Sequence, residues 1–318
     1  MRRLLWLSAA AVLAAGCSTA PGGEAVAERL PDPRPLGGVL DPTAAEYTAL
    51  HRAEELEVRT CMESRGFDYE VRPVGDVRRK AAESPYGLLT RSRAGQDGYG
   101  LTAERLRKPT ADPNARRVST LAARDRRAWE EALKGAADGP REQIELPDGP
   151  TASVPTDSCV TAASRALYGT SWYRNRLALQ NLRNSIVADT LDHPLVKSAE
   201  QKWSACMRDE GFRYEDRQVP VKALHERLAA AGSDPAALRA TGREELRIAV
   251  RDAACQARTG LAEQVLRAQK QVEKALPAAR TSMLNAFRTA RRAALERAET
   301  ADTADTADTA QQAAASPS

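Results

Sequence analysis

Residues 61–74 read CMESRGFDYEVRPV, and residues 206–219 read CMRDEGFRYEDRQV. Eight of the fourteen positions are identical at a constant offset of 145, so the chain carries an internal duplication. The shared pattern, C-M-x-x-x-G-F-x-Y, has a physical logic. Gly66 and Gly211 stand where a helix must turn left-handed to stop, a conformation glycine adopts without steric cost. With Gly66 just past the helix, Phe67 and Met62 occupy the two positions that touch in a Schellman ending, and Gly211, Phe212 and Met207 repeat the arrangement. Each copy is therefore predicted to be a helix end with a cysteine about one turn before the stop. Phe67 and Tyr69, like Phe212 and Tyr214, lie two apart, which suits a short extended stretch with both rings on one side.

Helical patterns surround both copies. Asp41-Pro42 is read as the start of the first motif helix, with Leu50, Val58 and Met62 facing inward. A charged helix over about 120–134 carries Trp129 and Leu133 and closes at Gly135. Tyr86-Gly87-Leu88, Tyr99-Gly100-Leu101 and Asp112-Pro113-Asn114 mark turns, and residues 136–156 read as a loop. Cys159 opens a run ending at Leu167-Tyr168-Gly169. A helix over about 171–190 uses Leu177, Leu182 and Ile186, and the second motif helix starts near His193-Pro194. Val221–Ala231 is stopped by Gly232, and Thr241-Gly242-Arg243-Glu244 resembles a capping box. Residues 261–299 follow a near-heptad rhythm through Val265, Val272, Leu276, Ala279, Met283 and Ala290, with a kink expected at Pro277. The fold class is mainly α: two related helical halves, short extended segments after each motif helix, and a long C-terminal helix.

The ends are different in kind. Arg2 and Arg3, the apolar run Leu4–Ala15, and the small residues Ala14, Ala15 and Gly16 before Cys17 form an export signal. The run of about 12 apolar residues is too short to cross about 30 Å of hydrocarbon. Small residues next to Cys17 resemble the lipobox of bacterial lipoproteins, although Leu13 lies one place earlier than the large aliphatic of that pattern. The resemblance implies a diacylglyceryl thioether on Cys17, and two or more acyl chains anchor stably. Residues 17–41, rich in Pro, Gly and Ala, read as a lipidated flexible tether spanning roughly 25–30 Å. Residues 42–190 form the first helical half with a long insertion, 191–299 the second half with the C-terminal helix, and 300–318, with Ala-Asp-Thr three times over, a disordered tail.

The net charge of +4 from 47 basic and 43 acidic residues does not describe a nucleic-acid binder. Outside the cytoplasm disulfides persist, and four cysteines remain after Cys17: Cys61, Cys159, Cys206 and Cys255. They allow three connectivities; the duplication points to each motif cysteine pairing with the next one downstream. The competing chemistry, Cu(I) held by the Cys-Met pairs, is weakened because consecutive helical residues point about 100° apart. His51, His193 and His225 show no metal-ligand spacing, no nucleophile elbow or phosphate loop is present, and the acids are interleaved with arginines. Trp129, Trp172, Trp203 and Tyr173 read as core residues. No catalytic, cofactor or metal residues are assigned.

The run from Cys61 to Phe67, then Tyr86 to Leu88, Tyr99-Gly100, Asp112 to Asn114, Ala132 to Gly135, Cys159 and Tyr168-Gly169 resembles a group of uncharacterised actinobacterial lipoproteins over about residues 45–260. It departs at Ala122, where a capping Ser is expected. The resemblance implies an address on the outer face of the cell membrane and no reaction. The expected role is binding or assembly in the envelope, with the membrane as partner through the anchor and an envelope protein or cell-wall polymer as target. A wall-active hydrolase with a concealed carboxylate site, or a ligand-capturing lipoprotein with a pocket between the halves, are the alternatives. Growth with a clickable fatty acid is expected to label the wild type and leave Cys17→Ala unlabelled; equal labelling of both would remove the anchor.

Overall fold

The computed structural model describes residues 30–77, 83–146 and 151–315; the expected export signal, Cys17 and most of the expected tether lie outside the described residues. The chain is mainly helical. In order, the elements are α1 (Ala44–Ser64), α2 (Arg91–Asp97), α3 (Leu101–Leu106), α4 (Asn114–Thr120), α5 (Ala123–Lys134), strands β1 (Arg141–Glu145) and β2 (Thr151–Pro155), α6 (Cys159–Tyr168), α7 (Trp172–Asp192), α8 (Pro194–Asp209), α9 (Gln218–Ala231), α10 (Pro235–Arg258), α11 (Leu261–Lys274) and α12 (Ala278–Ala315).

Both motif helices end as their sequences predict. The Phe67 amide donates to the Met62 carbonyl (3.0 Å) and the Gly66 amide to Glu63 (2.9 Å); Phe212 donates to Met207 (2.9 Å) and Gly211 to Arg208 (3.0 Å). Gly66 and Gly211 have φ of +82° and +89°. Those are the two hydrogen bonds of a Schellman ending, found twice. Phe212 and Tyr214 stack at 5.7 Å, whereas Tyr69 stacks on Trp129 at 6.0 Å.

The repeat reaches beyond the quoted window. Glu55 and Glu200, both six residues before the motif cysteine, are also 145 apart. The Arg72 guanidinium returns to Glu55 at 2.7 Å and Arg217 to Glu200 at 3.0 Å. Each extended run is therefore folded back along its own helix and tied there. Cys61 joins Cys159 and Cys206 joins Cys255, with Cα atoms 5.5 and 5.7 Å apart, the pairs implied by the repeat. Around the first bridge pack Val58, Met62, Tyr69, Trp129, Leu133 and Ala163. Around the second pack Trp203, Met207, Phe212, Leu224 and Ile248, with Trp203 standing where Val58 stands in the first.

The long insertion does not stay with its own half. Residues 84–106 lie on the second. The Tyr86 hydroxyl donates to Gln269 (3.0 Å), the Leu89 amide to Gln256 (3.0 Å) and the Tyr99 hydroxyl to Asp252 (2.7 Å). The buried Glu245 carboxylate accepts from the Leu101 and Thr102 amides (2.8 and 2.9 Å), neutralising the start of α3. Gly98 lets that approach happen: a β-carbon there would lie 2.8 Å from the Glu245 Cγ.

Several boundaries differ from the sequence reading. Residues 35–40 are not free tether, because Leu36 and Val39 are buried in the core around α7 and α12 and the Leu36 amide donates to Glu273 (2.7 Å). The cap of α1 is Thr43, in a reciprocal box with Glu46, because Asp41 pairs with Arg183 at 3.2 Å instead. Thr241 and Gly242 lie inside α10, whose cap is Asp234; the Thr241 hydroxyl bonds back to Ala237. Residues 141–145 and 151–155 form an antiparallel strand pair rather than loop, burying Ile144 and Val154. Pro277 separates α11 from α12 rather than kinking one helix; beyond the break Ala279 is exposed and the buried stripe is Phe287, Ala294 and Ala298. The expected disordered tail continues α12. Asp302 and Asp305, three apart and so on one helix face, meet Arg52 and Arg59 of α1: Asp302 takes Arg52, and Asp305 takes Arg52 (2.8 Å) and Arg59 (2.7 Å).

Digestion without reduction is expected to yield Cys61–Cys159 and Cys206–Cys255 peptides, and a Cys61–Cys206 peptide would contradict the fold. By loop-closure entropy, replacing Cys206 and Cys255 with Ser should cost about 4 kcal/mol in denaturant unfolding.

Candidate functional site

The helix α7 carries Trp172, Arg176 and Arg183 at i, i+4 and i+11, a single stripe along its length. That stripe forms one wall of a cavity of about 760 Å³, within the range of small-ligand sites. The opposite wall comes from α1, through Leu50, His51 and Glu54. Val39 to Pro42 and Glu83 to Pro85 contribute from the segments flanking the described N-terminal region and the insertion, and Phe287 and Arg291 come from α12.

The aromatic end is firmly built. Trp172 stacks on Tyr168 at 3.9 Å and on Phe287 at 4.4 Å, each close to parallel. Glu54 sits beside this cluster, accepting from the Ser164 hydroxyl at 3.4 Å. Burial pushes its carboxyl above the ordinary value, opposed by the charge of Arg176 and by the Tyr168 and Ser164 hydroxyls. Burial and the neighbouring Glu54 in turn push the Tyr168 phenol upward. His51 stacks with Tyr47, and its Nε2 lies 3.0 Å from the Arg72 carbonyl. Arg291 is held by the Val39 carbonyl (2.7 Å) and Glu46 (2.8 Å).

Residues of this lining hold part of the unmet hydrogen-bonding capacity of the described chain. Among the described residues six buried side-chain polar atoms have no partner, and three of them, Asp41 Oδ2, Trp172 Nε1 and Arg183 Nε, belong to residues of this lining. Buried polar groups are nearly always paired, and each orphan costs about 1–3 kcal/mol. Two further clefts, of about 600 and 730 Å³, include none of the six. No family model, curated protein or solved structure matches the chain. The assignment of this cavity therefore stands on its own chemistry.

The residues singled out from sequence are distributed as follows. The four cysteines lie in the two bridges, away from the cavity lining. His193 caps α8, its Nδ1 accepting from the Leu195 amide at 3.2 Å, and His225 is exposed. Trp129 and Trp203 are core residues, with the Trp203 indole donating to the buried Asp252 at 2.7 Å. The Tyr173 hydroxyl donates to Ser164 at 3.1 Å. Trp172 is both buried and a lining residue. Asp41, Glu54, Arg176 and Arg183 carry the site without having been singled out as such; the i, i+4, i+11 spacing on α7 is the signal that could have found three of its members. Among the described residues no group of three or more His, Cys, Asp or Glu is placed to hold a metal ion, and no helix is long and apolar enough to cross a membrane.

Because the Glu54 carboxyl is raised in the fold above the ordinary 4.5, the folded state keeps a proton that the unfolded state releases. Stability then falls as pH rises above about 4.5, until the folded carboxyl has ionised. Urea unfolding of the wild type and Glu54→Gln at pH 4.5 and 7.5 is expected to show the variant gaining relative stability at the higher pH; a pH-independent difference would contradict the burial assigned to Glu54.

Proposed function

We propose that this protein is an extracytoplasmic, lipid-anchored binding protein of the cell envelope, and that it captures a small ligand in the cavity between α1, α7 and α12. The observation that carries the reading is the concentration of unpartnered buried polar atoms in the residues of that one lining. An aromatic cluster with nearby hydrogen-bonding groups is the usual composition of a ligand pocket. The cluster is set on rigid helices, and the arginines on the wall match a ligand with acceptor groups. The anchor comes from Cys17, and the membrane is the first partner.

The hydrolase alternative is less favoured. Asp41 is tied to Arg183 at 3.2 Å and Glu54 faces Arg176, so each of these carboxylates works against an arginine rather than with a second carboxylate. A paired-carboxylate mechanism needs two acids flanking one bond.

Native mass spectrometry of the protein released from envelopes is expected to show an added small-molecule mass. An envelope extract below about 1 kDa, at a ligand concentration of 100 times Kd, is expected to raise Tm by about 4 °C. The absence of both an added mass and a shift in Tm overturns the reading.

A further inference from the structure

The duplication lets one half report on the other. The motif helices α1 and α8 end in the same two hydrogen bonds, so positions 145 apart are structurally equivalent along them. On α8, Val196 and Ala199 form a slot with Leu261, Val265 and Ala268 of α11, and the slot is filled by the ring of Tyr86 from the crossing segment. The segment is fixed there through its backbone: the Tyr86 carbonyl accepts from Arg217 Nη1 at 2.7 Å, and the Leu89 amide donates to Gln256 at 3.0 Å. The equivalents of Val196 and Ala199 on α1 are His51 and Glu54. Both line the cavity of about 760 Å³. The arginines tell the same story. Arg217, covered by Tyr86-Gly87, has a side chain only 7 % exposed, whereas that of Arg72 is 36 % exposed.

From this equivalence we infer that the cavity takes an extended peptide and receives an aromatic, tyrosine-like side chain against His51 and Glu54, as the α8 slot receives Tyr86. The inference rests on the capture reading given above and names the class of ligand. The substitutions between the halves say how this occupant differs from the internal one. Val196 and Ala199 offer Tyr86 only apolar contact, and its hydroxyl finds Gln269 further away on α11. His51 and Glu54 put polar groups at the same two positions, so the first-half slot suits a ring whose polar substituent is satisfied close to α1. The unpartnered Asp41 Oδ2 and Arg183 Nε belong to one ion pair, bridged through Oδ1 and Nη2. Along α7, Trp172 and Arg183 are about 16 Å apart, the length of four or five extended residues.

The probe is the hexapeptide SPYGLL, the sequence of residues 84–89, with N-acetyl and C-amide ends, titrated calorimetrically into the full-length wild type. Binding of SPYGLL with at least tenfold weaker binding of SPAGLL supports the inference. Asn184→Trp, which enlarges an exposed lining residue, should weaken SPYGLL at least tenfold while leaving the circular dichroism melt intact. His51→Val combined with Glu54→Ala, which removes the polar groups set against the ring, should also weaken SPYGLL at least tenfold with the melt intact, and unchanged binding overturns the inference. Equal affinity for SPYGLL and SPAGLL, or binding unaffected by Asn184→Trp, overturns the inference. If neither peptide binds while the envelope extract still raises Tm, the peptide assignment fails and the capture reading survives.

Discussion

Everything in this fold hangs on how two helices stop. A left-handed glycine, closed by a hydrogen bond from the following phenylalanine to the methionine carbonyl, reverses the chain at Arg65–Phe67 and at Glu210–Phe212. The reversed strand runs back far enough for an arginine eleven residues past the cysteine to reach a glutamate six residues before it. The cysteine one turn from the stop is thereby held at a fixed place and angle, and a partner helix can be bridged to it. An L-residue with a side chain at the glycine position would sit in a conformation costing about 1–2 kcal/mol. It would also put at risk the return path that the Glu–Arg tie depends on.

The acidic side chains divide into two populations by what they have been given. Glu55, Glu245 and Asp252 are buried, and each accepts from several donors: Tyr69 and Arg72 for Glu55, two helix-start amides for Glu245, and Tyr99, Trp203 and Gln256 for Asp252. Burial pushes the Asp252 carboxyl upward, and its three donors pull against that rise. These groups tie distant segments together, and their hydrogen-bonding capacity is spent on the architecture. Asp41 keeps an oxygen in reserve, and Trp172 and Arg183 keep donors in reserve. That contrast, more than the shape of any cleft, separates scaffold from site.

Much of this was readable in the residues. The helix stops, the bridged pairs and the mainly helical class follow from C-M-x-x-x-G-F-x-Y, because glycine, phenylalanine and cysteine at those spacings leave few structural options. The strand pair was concealed because each five-residue strand offers one large apolar residue, Ile144 or Val154, too little for an alternating pattern to register. The tail was concealed by composition: alanine, aspartate and threonine look like a solvated coil, yet alanine favours helix and the acids at intervals of three find arginines on α1. The position of residues 35–40 depended on a distant acceptor, Glu273, and the capture of residues 84–106 depended on Gln256, Glu245 and Asp252. No local pattern announces a partner more than 140 residues away. The cavity was the least legible feature, since its members come from five separate stretches and only the stripe on α7 shows a helical spacing.

The crossing segment has a bearing on the handling of the chain. The Cys61–Cys159 ring contains residues 84–106, and those residues are seated on the element bridged by Cys206–Cys255. The two copies are thus threaded into one another by a loan from the first to the second. A fragment ending between α7 and α8 would leave Tyr86, Leu89 and Tyr99 without a surface to lie on. A fragment beginning there would expose Asp252 and Glu245 without their donors. Two halves that share a motif form a single object that neither half can reproduce alone.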